Sequence, residues 1–174
     1  EVSYSSDLIP EIGVMIMDKG NIKAAAKLTD GKGTIKLSDY ELWSPENPYL
    51  YDIKFAAGDD RVDSYFAMRK FSTGKDADGT PRFMLNNKPY FFNGLLDQGY
   101  WSDGLYTAPS DEALIYDIET MKELGFNTLR KHIKIEPLRW YYHCDRLGMI
   151  VWQDMINGGG KYNFLAIGTL PFLG

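Results

Sequence analysis

Tyr90-Phe91-Phe92-Asn93-Gly94-Leu95-Leu96-Asp97 opens a run in which an extended apolar segment is followed by a helical one, the pair repeats, and a third extended segment closes the series at Asp154. Each extended segment ends in polar chemistry. The first runs into Asp97, Phe126-Asn127-Thr128-Leu129 runs into Arg130 and His132, and Met149-Ile150-Val151-Trp152 runs into Gln153 and Asp154. The first helical segment has Ser110 as N-cap after Pro109, Asp111 and Glu112 in a first turn that favours negative charge, and Gly125 just past its end. Leu114, Ile118 and Met121 share its apolar face. The second starts at Pro137, where a first-turn residue needs no amide partner, sets Leu138, Tyr141 and Tyr142 on one side, and stops at Gly148. Strand, helix, strand, helix, strand with short connections predicts right-handed crossovers and a parallel sheet. Parallel strands bring their carboxyl ends onto one rim, which in a β/α barrel is where active sites are built. Polar groups at all these strand ends point to one convergent site.

Working outward, no Gly-x-Gly-x-x-Gly follows any of these strands, which disfavours a dinucleotide site. Asn157-Gly158-Gly159-Gly160-Lys161 has Tyr162 where a phosphate loop needs Ser or Thr for magnesium, so it reads as a loop after the third strand. Upstream, Phe83-Met84-Leu85, Asn86-Asn87 and Lys88-Pro89-Tyr90 read as a short hairpin leading into the first extended segment. The polar stretch Thr73 to Thr80 offers almost no apolar surface and is the expected domain join. Before it the signals are short and strand-like: Val14 to Met17, Ile22 to Leu28, Thr34 to Leu37, Tyr51 to Phe55 and Ser64 to Phe71. Asp18-Lys19-Gly20-Asn21, Asp30-Gly31-Lys32-Gly33 and Gly58-Asp59-Asp60 supply turns, with Gly where a reversing backbone needs positive φ. This half reads as part of an antiparallel β-sandwich.

Composition narrows the function classes. The chain has 174 residues and an apolar fraction of 44%, that of an ordinary globular protein rather than a disordered one. A net charge of −5 without a long basic run gives no support to nucleic-acid binding. Neutral or weakly charged partners fit better. An aromatic content of 14% suits stacking on sugar rings and equally suits a core. The one cysteine, Cys144, excludes an internal disulfide and a multi-cysteine zinc site. No apolar run is long enough to span a membrane. The first residues, Glu1-Val2-Ser3-Tyr4, lack the features of a signal peptide and read as the start of an excised piece, so localisation stays open.

Several motifs together resemble glycoside hydrolase family 2, which includes β-galactosidases, β-glucuronidases and β-mannosidases. Leu42-Trp43-Ser44-Pro45-Glu46-Asn47-Pro48-Tyr49-Leu50-Tyr51 is similar to the family's signature in the immunoglobulin-like sandwich before its barrel, and Phe66-Ala67-Met68-Arg69-Lys70-Phe71 to that sandwich's closing strand. Leu85-Asn86-Asn87-Lys88-Pro89 with Asn93-Gly94 resembles the approach to the first barrel strand, and Asn127-Thr128-Leu129-Arg130-Lys131-His132 the second. Cys144 to Asp154 completes the match, in the family's order. The resemblance implies a partial immunoglobulin-like β-sandwich over residues 1–72, followed over 73–174 by the first βαβαβ part of a (β/α)8 TIM barrel. It also implies a parent retaining β-glycosidase, β-galactosidase-like first, whose two catalytic glutamates lie beyond Gly174 about 5 Å apart. No catalytic residue is then expected within this chain, and the chain alone is expected to be inert.

The resemblance also assigns roles. Asp97 corresponds to an acceptor of sugar hydroxyls, with a loop-capping aspartate as the plainer reading. Arg130 corresponds to an arginine near the nucleophile that keeps it ionised, against a structural ion pair. His132 corresponds to a histidine near the substrate's hydroxyls, against a buried histidine held by neighbours. Trp101 and Trp152 are candidates to stack on a sugar face, with core packing as an equal competitor. Asp154 stands where some β-galactosidase-like members place an acidic residue near Mg2+ and others make sugar contacts. A lone carboxylate is a poor metal site, so no cofactor is expected and substrate contact is preferred. His143 and Cys144 lie side by side on a helix, about 100° apart, and read as packing or surface residues rather than a nucleophilic pair. The expected partner is a glycoside or oligosaccharide, with neither nucleic acid nor membrane; a homo-oligomer is left open. Competing readings are a carbohydrate-binding protein that lost its chemistry on the same scaffold, and a sandwich used as an adhesion or assembly module.

Overall fold

Alternation of side chains along an extended backbone organises the first half of the chain. The computed structural model describes residues 2–3, 11–29 and 32–156. After β1 (Val2–Ser3) come β2 (Glu11–Asp18), β3 (Asn21–Thr29), β4 (Lys32–Gly33), β5 (Tyr51–Ala57) and β6 (Asp60–Phe66). The sheet order β3-β2-β5-β6 is antiparallel throughout, and β1 pairs with β4. Ile12, Val14 and Ile16 of β2 point the same way as Tyr51 and Ile53 of β5, and with Leu28 they form one buried core. One apolar face on an antiparallel sheet is consistent with one layer of a sandwich. The β2–β3 turn has φ of 48° at Lys19 and 83° at Gly20, the paired positive values that a two-residue hairpin requires.

Two expected strands are corrected. Thr34 to Leu37 forms no strand, although Ile35 and Leu37 still pack against the first core. The span Ser64 to Phe71 is broken: β6 ends at Phe66 and β7 (Phe71–Lys75) belongs to another sheet. The chain leaves one sheet edge over residues 67–70 to reach the next, and there the Met68 carbonyl accepts from the Trp43 amide at 3.0 Å.

β7 pairs with β8 (Pro81–Leu85), which pairs with β9 (Lys88–Pro89). The polar stretch 73–80 supplies the end of β7 and the turn of this hairpin. There Asp76 Oδ1 accepts from the amides of Asp78 and Thr80 at 3.1 and 2.9 Å, and Oδ2 accepts from Arg82 Nε at 2.8 Å. Asn86 and Asn87, at φ 53° and 65°, make the expected tight turn between β8 and β9.

The remainder is β10 (Gly94–Asp97), α1 (Asp111–Glu123), β11 (Thr128–Lys131), α2 (Leu138–Leu147) and β12 (Ile150–Gln153). The strands pair in parallel, with Leu95, Leu129 and Val151 in register. Ser110 caps α1 by accepting from the Ala113 amide at 3.2 Å, and Gly125 beyond it takes φ 90°. Pro137 is the extended N-cap of α2 rather than its first helical residue, and Gly148 ends the helix at φ 78°. The expected face of α2 is also corrected. Trp140, His143 and Cys144 are buried, whereas Leu138 is 86% exposed. These buried positions follow the i, i+3, i+4 rule as well as the alternative stripe does. With Leu114, Ile118, Leu129 and Met149, Trp140 and Cys144 form the core between helices and sheet. The glycine-rich loop at 157–161 lies outside the described residues.

The stretch from Leu42 to Tyr51 wedges the two halves together. Trp43 is fully buried. Its Nε1 donates to the Asp145 carbonyl at 2.7 Å, and the Arg69 guanidinium lies 4.5 Å from its ring centre. Asp145 in turn accepts from Arg69 Nη1 at 2.6 Å and from the Tyr65 hydroxyl at 2.9 Å. Lys122 of α1 donates to the carbonyl of Pro45 at 3.0 Å and to that of Leu147.

Candidate functional site

Period-two geometry divides the polar residues of the parallel sheet between its two faces. Leu96, Arg130 and Trp152 are in register on one face. Asp97, Lys131 and Gln153 are in register one residue later and turn toward the helices. The candidate residues therefore form two groups rather than one.

On the open face, Arg130 grips Asp154 with both prongs: Nε to Oδ1 and Nη2 to Oδ2, each at 3.1 Å. The Asp154 amide donates to the Lys131 carbonyl at 3.0 Å, which fixes the residue just beyond β12. Trp152 stands beside them, its ring 5.5 Å from Phe83 and 5.8 Å from Phe92. A cavity of about 310 Å³ runs over this face, lined by Phe92, Gly94, Leu96, Thr128, Arg130 and Trp152 among others. Gly94 lets β10 approach β11 closely, since a Cβ there would come 2.9 Å from the Thr128 carbonyl oxygen.

On the helix side, Asp97 is an anchor. Its Oδ1 accepts from the Gly99 amide and its Oδ2 from Lys131 Nζ, both at 2.7 Å. Lys131, only 1% exposed, also donates to Glu136 Oε1 at 3.0 Å and lies 4.2 Å from the Trp140 ring centre. Lys134 Nζ is 2.9 Å from the same Glu136 oxygen and donates to the carbonyls of Gly99 and Tyr106, each at 2.7 Å. Gln153 closes the set, donating to the Lys134 carbonyl and accepting from the Tyr141 hydroxyl. Buried charges are stable here because each meets an opposite one.

Trp101 belongs to this second group, packed against the Leu114–Ile118 core. Its buried Nε1 has no hydrogen-bond partner among the described residues. It lines a cavity of about 260 Å³ with Asp97, Asp117 and Lys131, a volume that accommodates water. Asp117, a largely exposed residue of α1 that lines this cavity, has its carboxyl pushed above its usual range first by partial desolvation and second by the Asp97 charge, against an opposing pull from Lys131. His132 donates its backbone amide to the Asp97 carbonyl at 2.9 Å, placing it one residue beyond β11. Next to it Ile133 takes φ 47°, a strained value for a β-branched residue. Burial drives the Cys144 thiol far up, so it is a packing group. Both Asp154 oxygens are engaged by Arg130, and among the described residues no group of three His, Cys, Asp or Glu is placed to hold a metal.

Lys131, Lys134 and Glu136 were not among the candidate site residues read from sequence, and Gln153 was read there only as a polar strand end. The available signal was parity. A lysine one position after Arg130, in register with Asp97, has to face the helices.

Comparison with known proteins adds the family context. The model of glycosyl hydrolases family 2 matches residues 11–69. A β-galactosidase of Leuconostoc mesenteroides is 31% identical over 127 residues, covering 72% of this chain and 12% of the relative. A putative β-glucuronidase of Formosa agariphila is 25% identical over 171 residues, covering 92% of this chain and 15% of the relative. Among solved structures, a β-D-glucuronidase of Dictyoglomus thermophilum superposes with a TM-score of 0.75 at 21% identity, covering 88% of this chain and 26% of its own. The chain thus spans a small part of the length of the proteins it matches.

Proposed function

Because the chain belongs to glycosyl hydrolases family 2, we propose that it is part of a retaining β-glycosidase and contributes one wall of that enzyme's sugar site. In this reading residues 1–72 are part of an immunoglobulin-like sandwich and 73–174 begin a (β/α)8 barrel. The open face of β10, β11 and β12 is the barrel interior. The observation that carries the reading is the Arg130–Asp154 pair, set beside Trp152 at the carboxyl ends of adjacent parallel strands. Two of the five guanidinium donors of Arg130 go to Asp154, which aims the group without consuming it. A catalytic carboxylate brought alongside by a later strand stays ionised next to such a cation, as a nucleophile requires. Trp152 supplies an apolar face for a sugar ring, and His132 a hydrogen-bonding group at the same rim. Asp97, tied to Lys131 and Gly99, acts through position rather than by touching the sugar.

Retaining chemistry needs two carboxyl groups about 5 Å apart on either side of the glycosidic bond, one as acid/base and one as nucleophile. The polypeptide following β12 must supply both. β-Galactosides are the first substrates to test, given the β-galactosidase relatives. The test is hydrolysis of aryl β-galactoside, β-glucuronide, β-mannoside and β-glucoside by the 174-residue chain and by the protein at the length of its relatives. Turnover by the longer form alone, abolished by Arg130→Met, is the expected result. Activity of neither form points to a binding protein on this scaffold, and activity of the short chain overturns the placement of the carboxylates.

A further inference from the structure

The loop between β10 and α1 is built far more firmly than its exposure demands. Trp101 and Leu105 exchange backbone hydrogen bonds at 2.7 and 3.0 Å, and the Thr107 amide closes onto the Gly104 carbonyl at 2.9 Å. Gly99 takes φ 61° against Glu136, where a side chain would collide with the carboxylate. Lys134, with a side chain only 12% exposed, bonds the carbonyls of Gly99 and Tyr106 and thereby staples the two ends of the loop. On top of this rigid base sit Tyr100 and Tyr106, 60% and 64% exposed, with ring centres 5.1 Å apart in an edge-to-face pair. Two aromatic rings held in water by a stapled loop are costly for a soluble surface and well suited to a binding one.

We propose that Tyr100 and Tyr106 form a platform for the leaving-group sugar of the substrate, and that Lys134 is its positioning residue. The proposal rests on the glycosidase reading above. The loop emerges from the carboxyl end of β10, the same rim on which Arg130 and Asp154 stand, but beyond Asp97 and on the helix side of the strand. Contacts tie the loop to that rim: Lys134, which staples the loop, accepts through its carbonyl from Gln153 Nε2 at 2.8 Å, and Gln153 directly precedes Asp154. Tyrosine pairs an apolar face with a hydroxyl, matching the C–H face and hydroxyl edge of a pyranose. The positive charge of Lys134 is met by Glu136, so the platform offers no free cation for an acidic group.

The experiment compares, in the full-length protein, a disaccharide with a glycosyl fluoride of the same first sugar. Tyr100→Ala/Tyr106→Ala raises KM for the disaccharide about tenfold, the scale expected for losing two ring contacts, and leaves both constants for the fluoride within about twofold. Lys134→Met shows the same selective loss and Lys134→Arg restores most of it. Equal losses on both substrates, or none on either, overturn the platform. Saturation-transfer NMR with the disaccharide separates the two readings. If the wild type hydrolyses nothing, the glycosidase reading falls. Transfer that is present in the wild type and lost in the double variant then still supports the platform, while absent or undiminished transfer overturns it.

Discussion

Lys131 shows how one side chain holds two loops. Its ammonium lies at 1% exposure between Asp97 and Glu136, against the face of Trp140. Removing it strands two carboxylates with nothing of opposite sign in contact except Lys134, so Lys131→Met is expected to lower unfolding free energy by about 3 kcal/mol. The shift of the urea midpoint checks this; a change under about 1 kcal/mol would mean that the network is solvated and dispensable. Asp117 runs the other way. Although the residue is largely exposed, partial desolvation at the cavity first and the Asp97 charge second push its carboxyl above the ordinary range, so the folded state holds that proton more tightly than the unfolded chain does. Its contribution is therefore fully present below the unfolded value and lost as pH rises through the folded one. Asp117→Asn should raise Tm at pH 7, and the difference should shrink as pH falls and vanish well below the unfolded value, where the carboxyl is neutral in both states. An identical Tm at pH 7 would count against the upward shift itself, desolvation and the Asp97 charge together. At this scale Arg130 and Asp154 were legible because both close apolar strand runs. Lys131 and Glu136 were not: charged residues are seldom fully buried, so the ordinary reading of Lys-His-Ile-Lys-Ile-Glu is solvated side chains.

Turns and caps were the elements most legible in the sequence, because their chemistry is local. Asn86-Asn87 adopts paired positive φ, Lys19-Gly20 does the same, and Ser110 caps α1, each through contacts within a few residues. What could not be read was the side an element turns to its neighbours. The stripe of Leu138, Tyr141 and Tyr142 and the stripe of Trp140, His143 and Cys144 are both helical in spacing, and only the sheet beneath α2 selects the second. The same holds for Thr34 to Leu37, whose apolar alternation is spent on packing without a paired strand. Asp145 is the element-scale hinge point, since Arg69, Tyr65 and the Trp43 indole all converge on it from the other half of the chain. Asp145→Ala deletes two hydrogen bonds to a charged acceptor and is expected to cost about 2 kcal/mol, which raises the opened population about thirtyfold. Cys144 next to it is the reporter. It is fully buried and its thiol is pushed far up, so it reacts only in opened molecules. Iodoacetamide labelling should accelerate by that factor in the variant, and an unchanged rate would show that the joint carries no stability.

Across the whole molecule, order was legible before assembly was. An antiparallel sheet, then a hairpin, then alternating strands and helices follow from periodicity and punctuation, while the split of the polar strand ends between two faces depends on a register that no single segment encodes. That split leaves an uneven surface. The helices cover one face of the β10-β11-β12 sheet; over the other, among the described residues, Leu96 is 47% exposed, Trp152 42%, Phe83 52% and Phe71 47%. Among the described residues β10 and β12 each have one paired neighbour in that sheet, so within that set two strand edges lie open beside an aromatic surface. Relatives such as the Leuconostoc β-galactosidase are far longer, this chain covering 12% of that protein. Polypeptide of that kind, continuing the sheet, would bury the face and pair an edge. The 174-residue chain by itself is therefore expected to associate through this face. Light scattering should give a mass well above 19.8 kDa, and an environment-sensitive apolar dye should brighten on binding. Leu96→Lys with Trp152→Glu, which places charges on the two outer strands of the same face with Arg130 between them, should return the chain to monomer while sparing the helix-side core. A wild-type chain that stays at 19.8 kDa and leaves the dye dark would mean that this face is closed from within, and that the open wall assigned to the sugar site is not open.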